Sequence, residues 1–354
     1  MLAKTYIAVA ATACLGMGLT RVHPPADTAI RDAVGKSLPL LLKSEQVFIA
    51  RSHDHCASCH QTSMTVMVEG LCGQKGVPVR DTFAAQRVAL MENNLDAVGD
   101  LNHIKGFVEA KFINPYMMMS LYAAKTPADA RTDKAVDYMI GQQDADGGFH
   151  SEHSRPPLEV GNAHLTALSV KAIQAYASPS KKALVQTVTG KARSWFSALQ
   201  TDEQQELVFQ LLGLYWTGGA KADLQRVAGR LLALQRADGG WAQLSTLASD
   251  AYATGQALYA LAESGATRAD DAAFQKGVRW LLADQDESGA WIVRTRTYPI
   301  QPFFNSDFPP YDENQYISAT ATNWAMMALL KALPDKGAVA GARGRDGGGA
   351  VAAR

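Results

Sequence analysis

Three stretches far apart in the chain end in the same way. YMIGQQDADGGF (138–149), RLLALQRADGGW (230–241) and VRWLLADQDESGAW (278–291) each close an apolar, helix-period run with Gln, two spacers, Asp or Ser, Gly, Gly or Ala, and an aromatic residue. A repeated unit of this kind constrains the fold more than local propensity does, because one copy alone cannot bury its apolar face. The glycines predict a helix end and a turn, after which the aromatic packs back on the helix just left. Gln and Asp are suited to satisfying orphan backbone groups at that end.

After each turn comes a second helical stretch: NAHLTALSVKAIQAYA (162–177), SDAYATGQALYALAESG (249–265) and ISATATNWAMMALLKAL (317–333). These are apolar or small nearly all round, as buried helices are, whereas the stretches before the turns carry more Lys, Arg and Asp, as an outer layer would. Pairing outer with inner stretches predicts about six hairpins. They run 38–50 with 59–73, 81–96 with 113–125, 129–142 with 162–177, 181–200 with 204–216, 221–235 with 249–265, and 270–284 with 317–333. No strand-like alternation competes. The expected fold class is all-α, an α/α toroid: inner and outer helix layers around a central cavity, over residues 35–335.

Composition agrees with a globular chain, 47% hydrophobic and 19% charged over 354 residues. Lys plus Arg (34) equals Asp plus Glu (34), so no net field recruits nucleic acid or an anionic membrane. The N-terminus, MLAKTYIAVAATACLGMGLT, has an early Lys4, an Ala-rich apolar run and no acidic residue before Asp27, which predicts a signal peptide over 1–25 and an exported, periplasmic protein. Membrane attachment would come only through an uncleaved N-terminus or through lipidation at Cys14. The Gly/Ala-rich end, 336–354, reads as a disordered tail.

The strongest repeat, KGVRWLLADQDESGAW, keeps Lys276, Gly277, Trp280, Gln285, Gly289 and Trp291, and it resembles the QW motif of squalene-hopene cyclases; the ring resembles the toroid of terpenoid cyclases and protein prenyltransferases. The motif is degraded around WFSALQTDEQQ. The chemistry of those families is not carried over with it. Squalene-hopene cyclases have a D-x-D-D-T-A signature whose middle Asp protonates an alkene; here SDAYATGQ aligns Asp250 with the first Asp, but Tyr252 and Ala253 replace the pair, and a phenol of pKa about 10 cannot do that work. The Asp, Cys and His that hold zinc in the prenyltransferases have no late counterpart, since every cysteine precedes residue 73. Whether the chain is an enzyme stays open.

The chemical motif lies instead in SHDHCASCHQ (52–61). In C-x-x-C-H, Cys56 and Cys59 would hold a c-type haem through thioethers, with His60 as proximal iron ligand, and export is the right setting for that attachment. Two other readings stay open. Zinc on Cys56, Cys59, Cys72 and one of His53, His55 or His60 would account for the odd cysteine. A disulfide between Cys56 and Cys59 is the third. A C-x-x-C-H ahead of a QW-type ring is similar to a functionally unassigned bacterial subgroup of squalene-cyclase-like proteins, and the late stretch RTRTYPIQPFFNSDFPPYDENQYIS resembles theirs as well.

All inner helices of such a ring start at one end, so their first residues are expected to form a rim of His60, Met117, His164, Tyr252 and Tyr316, with Asp250 beside Tyr252. Haem would lie across that mouth, its sixth ligand coming from Met117, Met118 or His164; the methionines also suit core packing, and His164 also suits a hydrogen-bonded helix start. Phe303 and Phe304 in the late insertion would lid the cavity or belt the last hairpin to the ring. The expected function is electron transfer or redox chemistry on a hydrophobic, isoprenoid-like ligand, with a redox partner protein and no nucleic acid. Two alternatives are a non-catalytic lipid- or protein-binding toroid and a terpene cyclase using an unrecognised acid such as Asp250 or Asp307.

Overall fold

The structure is a computed structural model and describes residues 25–52, 60–96, 110–152, 155–297 and 306–336. Residues 1–24 of the expected signal peptide with Cys14, the cysteines Cys56 and Cys59, His53, His55, Phe303, Phe304 and the expected tail from residue 337 lie outside the described residues.

Among the described residues twelve α-helices follow one another: α1 (Asp27–Arg51), α2 (Thr62–Lys75), α3 (Ala84–Asp96), α4 (Ala110–Ala123), α5 (Ala130–Ile140), α6 (Asn162–Tyr176), α7 (Lys182–Ala198), α8 (Gln204–Thr217), α9 (Lys221–Ala233), α10 (Ala251–Glu263), α11 (Ala272–Asp284) and α12 (Gln315–Ala332). The even-numbered helices touch in the order α2, α4, α6, α8, α10, α12 and back to α2, which makes a closed inner ring. Outer helices fill the grooves between them: α5 packs on α4 and α6, α7 on α6 and α8, α11 on α10 and α12, and α1 on α12 and α2. Because each inner helix is reached through an antiparallel outer one, all six inner helices point the same way.

Two boundaries differ from expectation. Helix α1 starts at Asp27, not near residue 35, and runs through Pro39. Its buried stripe of Ile30, Val34, Leu38 and Leu41 begins that early, while Pro39 sits on the opposite face, where the Gly35 carbonyl it leaves without a donor belongs to an exposed residue. Helix α4 likewise runs through Pro115, because Phe112, Ile113 and Tyr116 are buried on both sides of it. Met117 therefore falls within the helix and not at its start.

The repeats do more than turn the chain. Gln235 Nε2 donates to Gly239 O in its own turn (2.9 Å) and to Ala273 O of α11 (2.8 Å), and Gln143 does the same with Gly147 O and Val188 O of α7. Each motif thus clamps the next outer helix. Gln285 donates to Gly289 O and reaches Ala33 O and Ser37 Oγ of α1 (both 2.9 Å), so the last motif closes the ring onto the first helix. The motif tryptophans are fully buried, and Trp241 Nε1 and Trp291 Nε1 each donate to the helix just left, to Leu231 O and Leu281 O at 2.8 Å. Where the motif is degraded after α7, Arg226 and Arg230 of α9 bond Ser197 O and Thr201 O instead. Inside the ring, Phe209 of α8 lies 6.2 Å from Trp324 of α12, two helices that are not ring neighbours, so aromatic rings narrow the expected central cavity at that level.

Candidate functional site

The N-terminal ends of the inner helices gather the candidate residues. His60, just before α2, is buried, and its Nε2 lies 2.8 Å from Leu158 O, a contact in which the imidazole N–H donates. Burial pulls its pKa down to about 4, against the opposing pull of Glu159, so the ring is neutral. Its ring centroid is 4.9 Å from that of Tyr116 on α4. The Tyr116 hydroxyl is 2.7 Å from His164 Nε2, and His164 Nδ1 faces Val160 O at 3.3 Å. A carbonyl can only accept, so Nδ1 carries the proton and Tyr116 donates to Nε2. His164 stacks on Phe209 (4.0 Å, 19°), and burial, then the charge of His60, pull its pKa down to about 3.

Over this group runs the 155–160 loop. Its carbonyls are the points of attachment. Thr297 donates to Pro156 O (2.7 Å), Tyr252 and Gln205 to Pro157 O (3.2 and 3.0 Å), His60 to Leu158 O, and Gln205 to Val160 O (3.1 Å). Those donors stand at the starts of α2, α8 and α10 and after α11. Since α2 and α8 face each other across the six-membered inner ring, the loop spans the mouth. It is braced internally by paired backbone bonds and a 3.1 Å ion pair between Arg155 and Glu159.

The expected rim is therefore a covered rim, and its members do different work from that foreseen. Tyr252 is buried and latches the loop. Asp250 caps α10, accepting Ala253 N–H at 2.9 Å, and burial holds its pKa above the usual carboxylate range. Tyr316, half-buried at the start of α12, meets Phe48 edge-on at 6.3 Å. Tyr116 is the α4 side chain brought to His60; Met117 and Met118, turned about 100° and 200° around the helix from it, are fully buried. Tyr116 also stands between His60 and His164. Asp307 is paired with Lys43 at 2.6 Å, which pulls its pKa down.

Cys72 stands apart from His60. It lies fully buried in α2, ten residues beyond Thr62 or about 15 Å of helical rise, and burial pushes its thiol up to about 12. Among the described residues no three His, Cys, Asp or Glu side chains are placed to hold a metal ion. The donor chemistry of His60 fits haem iron, for it is a buried imidazole at the start of α2 whose Nε2 lone pair becomes available once the proton now donated to Leu158 O moves to Nδ1. Tyr116, Gln205 and the loop carbonyls carry no sequence motif, and only the ring assembles them.

The closed inner ring with its outer layer settles the architecture. The fold is that of an α/α toroid. The type II terpene cyclase MstE from Scytonema shares it, with TM-score 0.56 and 13% identity over 87% of this chain and 99% of that one. MstE in complex with geranylgeranyl dihydroxybenzoate, its substrate, gives TM-score 0.54 and 14% identity over 86% and 98%. The unsaturated glucuronyl hydrolase from Bacillus sp. GL1 gives TM-score 0.56 and 15% identity over 85% and 96%. No family model matches the sequence, and no curated protein does. At these identities the likeness is one of fold, and the same ring serves a terpene cyclase and a glucuronyl hydrolase.

Proposed function

We propose that this chain is an exported toroid protein with one covalent c-type haem on Cys56 and Cys59 at the mouth of the ring, acting in electron transfer or redox chemistry on a hydrophobic, isoprenoid-like ligand. The observation that carries the proposal is His60: the histidine of C-x-x-C-H is buried, neutral and turned inward at the start of the first inner helix. Haem supplies one-electron chemistry when bound. The chain's own residues set its surroundings. His60 offers an imidazole already rid of water, and Tyr116 and His164 hold each other in one tautomer beside it. Beyond them, Phe112, Phe209 and Trp324 make the interior apolar, as a prenyl chain requires; geranylgeranyl dihydroxybenzoate, the substrate of MstE, is of that class.

The deciding experiment is an absorbance spectrum of the protein matured in a host competent for haem attachment. A Soret band that stays with the polypeptide through acid-acetone extraction, with sharp α and β bands on reduction, is expected. A colourless protein would overturn the proposal and leave a binding toroid with zinc or a disulfide at the motif, which metal analysis separates. Cyclisation is the second reading, favoured by the buried Asp250, whose pKa burial raises, although it caps a helix and has no second carboxylate where Tyr252 stands. Incubation with squalene or a geranylgeranyl substrate and a search for cyclised product tests it; unchanged substrate retires it.

A further inference from the structure

We infer that the 155–160 loop is a displaceable plug, latched over the mouth by His60, which is released when Nε2 of His60 is taken by a metal centre. The metal half of this inference rests on the haem reading; the latch does not. Seating depends on carbonyls that accept from one side chain or two each, and the bond from His60 to Leu158 O carries the loop across to the α2 side, opposite α8. Ligation through Nε2 needs its lone pair, so the ring proton must move to Nδ1, and the donor that holds Leu158 O is lost outright. One atom cannot serve both.

The plug is built to move as a unit. Arg155 and Glu159 hold it together by two backbone bonds (2.9 and 3.0 Å) and their ion pair. At its far end stands Gly161, with φ +97°, where a Cβ would strike Glu206 Oε1 at 2.1 Å. Glu206 meanwhile accepts Ala163 N–H at 3.3 Å, which pins the start of α6 to α8 while the loop ahead of it swings. Opening would uncover the aromatic interior below His60.

Cleavage after Glu159 by a glutamyl endopeptidase reads the state of the plug, because that bond is buried when the loop is seated. Four proteins are compared, with the cut located by mass spectrometry: the haem-loaded chain, the haem-free Cys56→Ala/Cys59→Ala variant, and that variant with His60→Ala or His60→Gln. The haem-free variant and His60→Gln, whose amide still donates to Leu158 O, are expected to resist. The haem-loaded chain and His60→Ala are expected to be cut about tenfold faster or more, since cleavage follows the open population. Equal rates in His60→Ala and His60→Gln would overturn the latch. Equal rates in the haem-loaded and haem-free chains would overturn the competition. A chain that takes up no haem while His60→Ala is still cut faster would retire the haem reading and keep the latch.

Discussion

Arg87, on α3, is 1% exposed and faces three carboxylates: Glu45 at 2.7 Å, Asp81 at 3.0 Å and Glu69 in close contact. One cation cannot neutralise three buried anions, so the cluster retains protons. Burial, reinforced by Asp81 and opposed by Arg87, pushes Glu69 up to about 7, and Glu45 is raised well above its usual range by burial first. A carboxyl raised by folding stabilises the fold in its protonated form. That contribution is complete below about pH 4.5 and is lost as pH rises through about 7. Glu69→Gln is therefore expected to remove most of this pH dependence, of order 2–3 kcal/mol, seen as a smaller drop in Tm between about pH 5 and about pH 8. Arg87→Met, which strands the carboxylates, is expected to cost about 3–5 kcal/mol in denaturant unfolding at neutral pH. Nothing in the local sequence marks Arg87; in AAQRVALMENN it reads as an ordinary exposed helix residue, and only the joining of α1, α2 and α3 buries it.

At the scale of elements, the repeat motif is both a helix stop and a clamp. Gln285→Ala removes three bonds to α1 and its own turn and is expected to cost about 2–3 kcal/mol. Gln200→Ala, at the degraded repeat, removes one exposed bond to Ala198 O and is expected to stay within about 0.5 kcal/mol. Gly289 has φ +97° and its would-be Cβ lies 2.9 Å from Lys36 O, so Gly289→Ala is expected to destabilise by about 2 kcal/mol or more. Gly229, in α9 with nothing within 4 Å, is the control: Gly229→Ala is expected to stabilise by about 0.5–1 kcal/mol. Thermal melts of the four variants check the set. The stop was legible, since Gly followed by an aromatic announces it. The clamp was not, because the motif's partners, Val188, Ala273 and Ala33, carry no signal of their own.

For the whole molecule, closure is the property that matters. An open stack of hairpins frays from its ends, whereas here α12 packs on α2 and Gln285 holds α1, so the inner ring has no end helix. Hydrogen exchange is expected to show α2 and α12 as protected as α6 and α8, and early exchange confined to α12 would contradict it. The sequence by itself determined that the chain is helical, that it is paired into outer and inner layers, and where nearly every turn falls, because periodicity and glycine act over one or two turns of helix. The C-x-x-C-H motif was likewise plain in the letters alone. Only the tertiary structure decided that the mouth is covered by the 155–160 loop, that Tyr116 and not a methionine meets His60, and that Asp250 is spent as a helix cap. Those outcomes depend on which helix ends converge, and convergence is set by ring closure over some 250 residues, far beyond the reach of any local pattern.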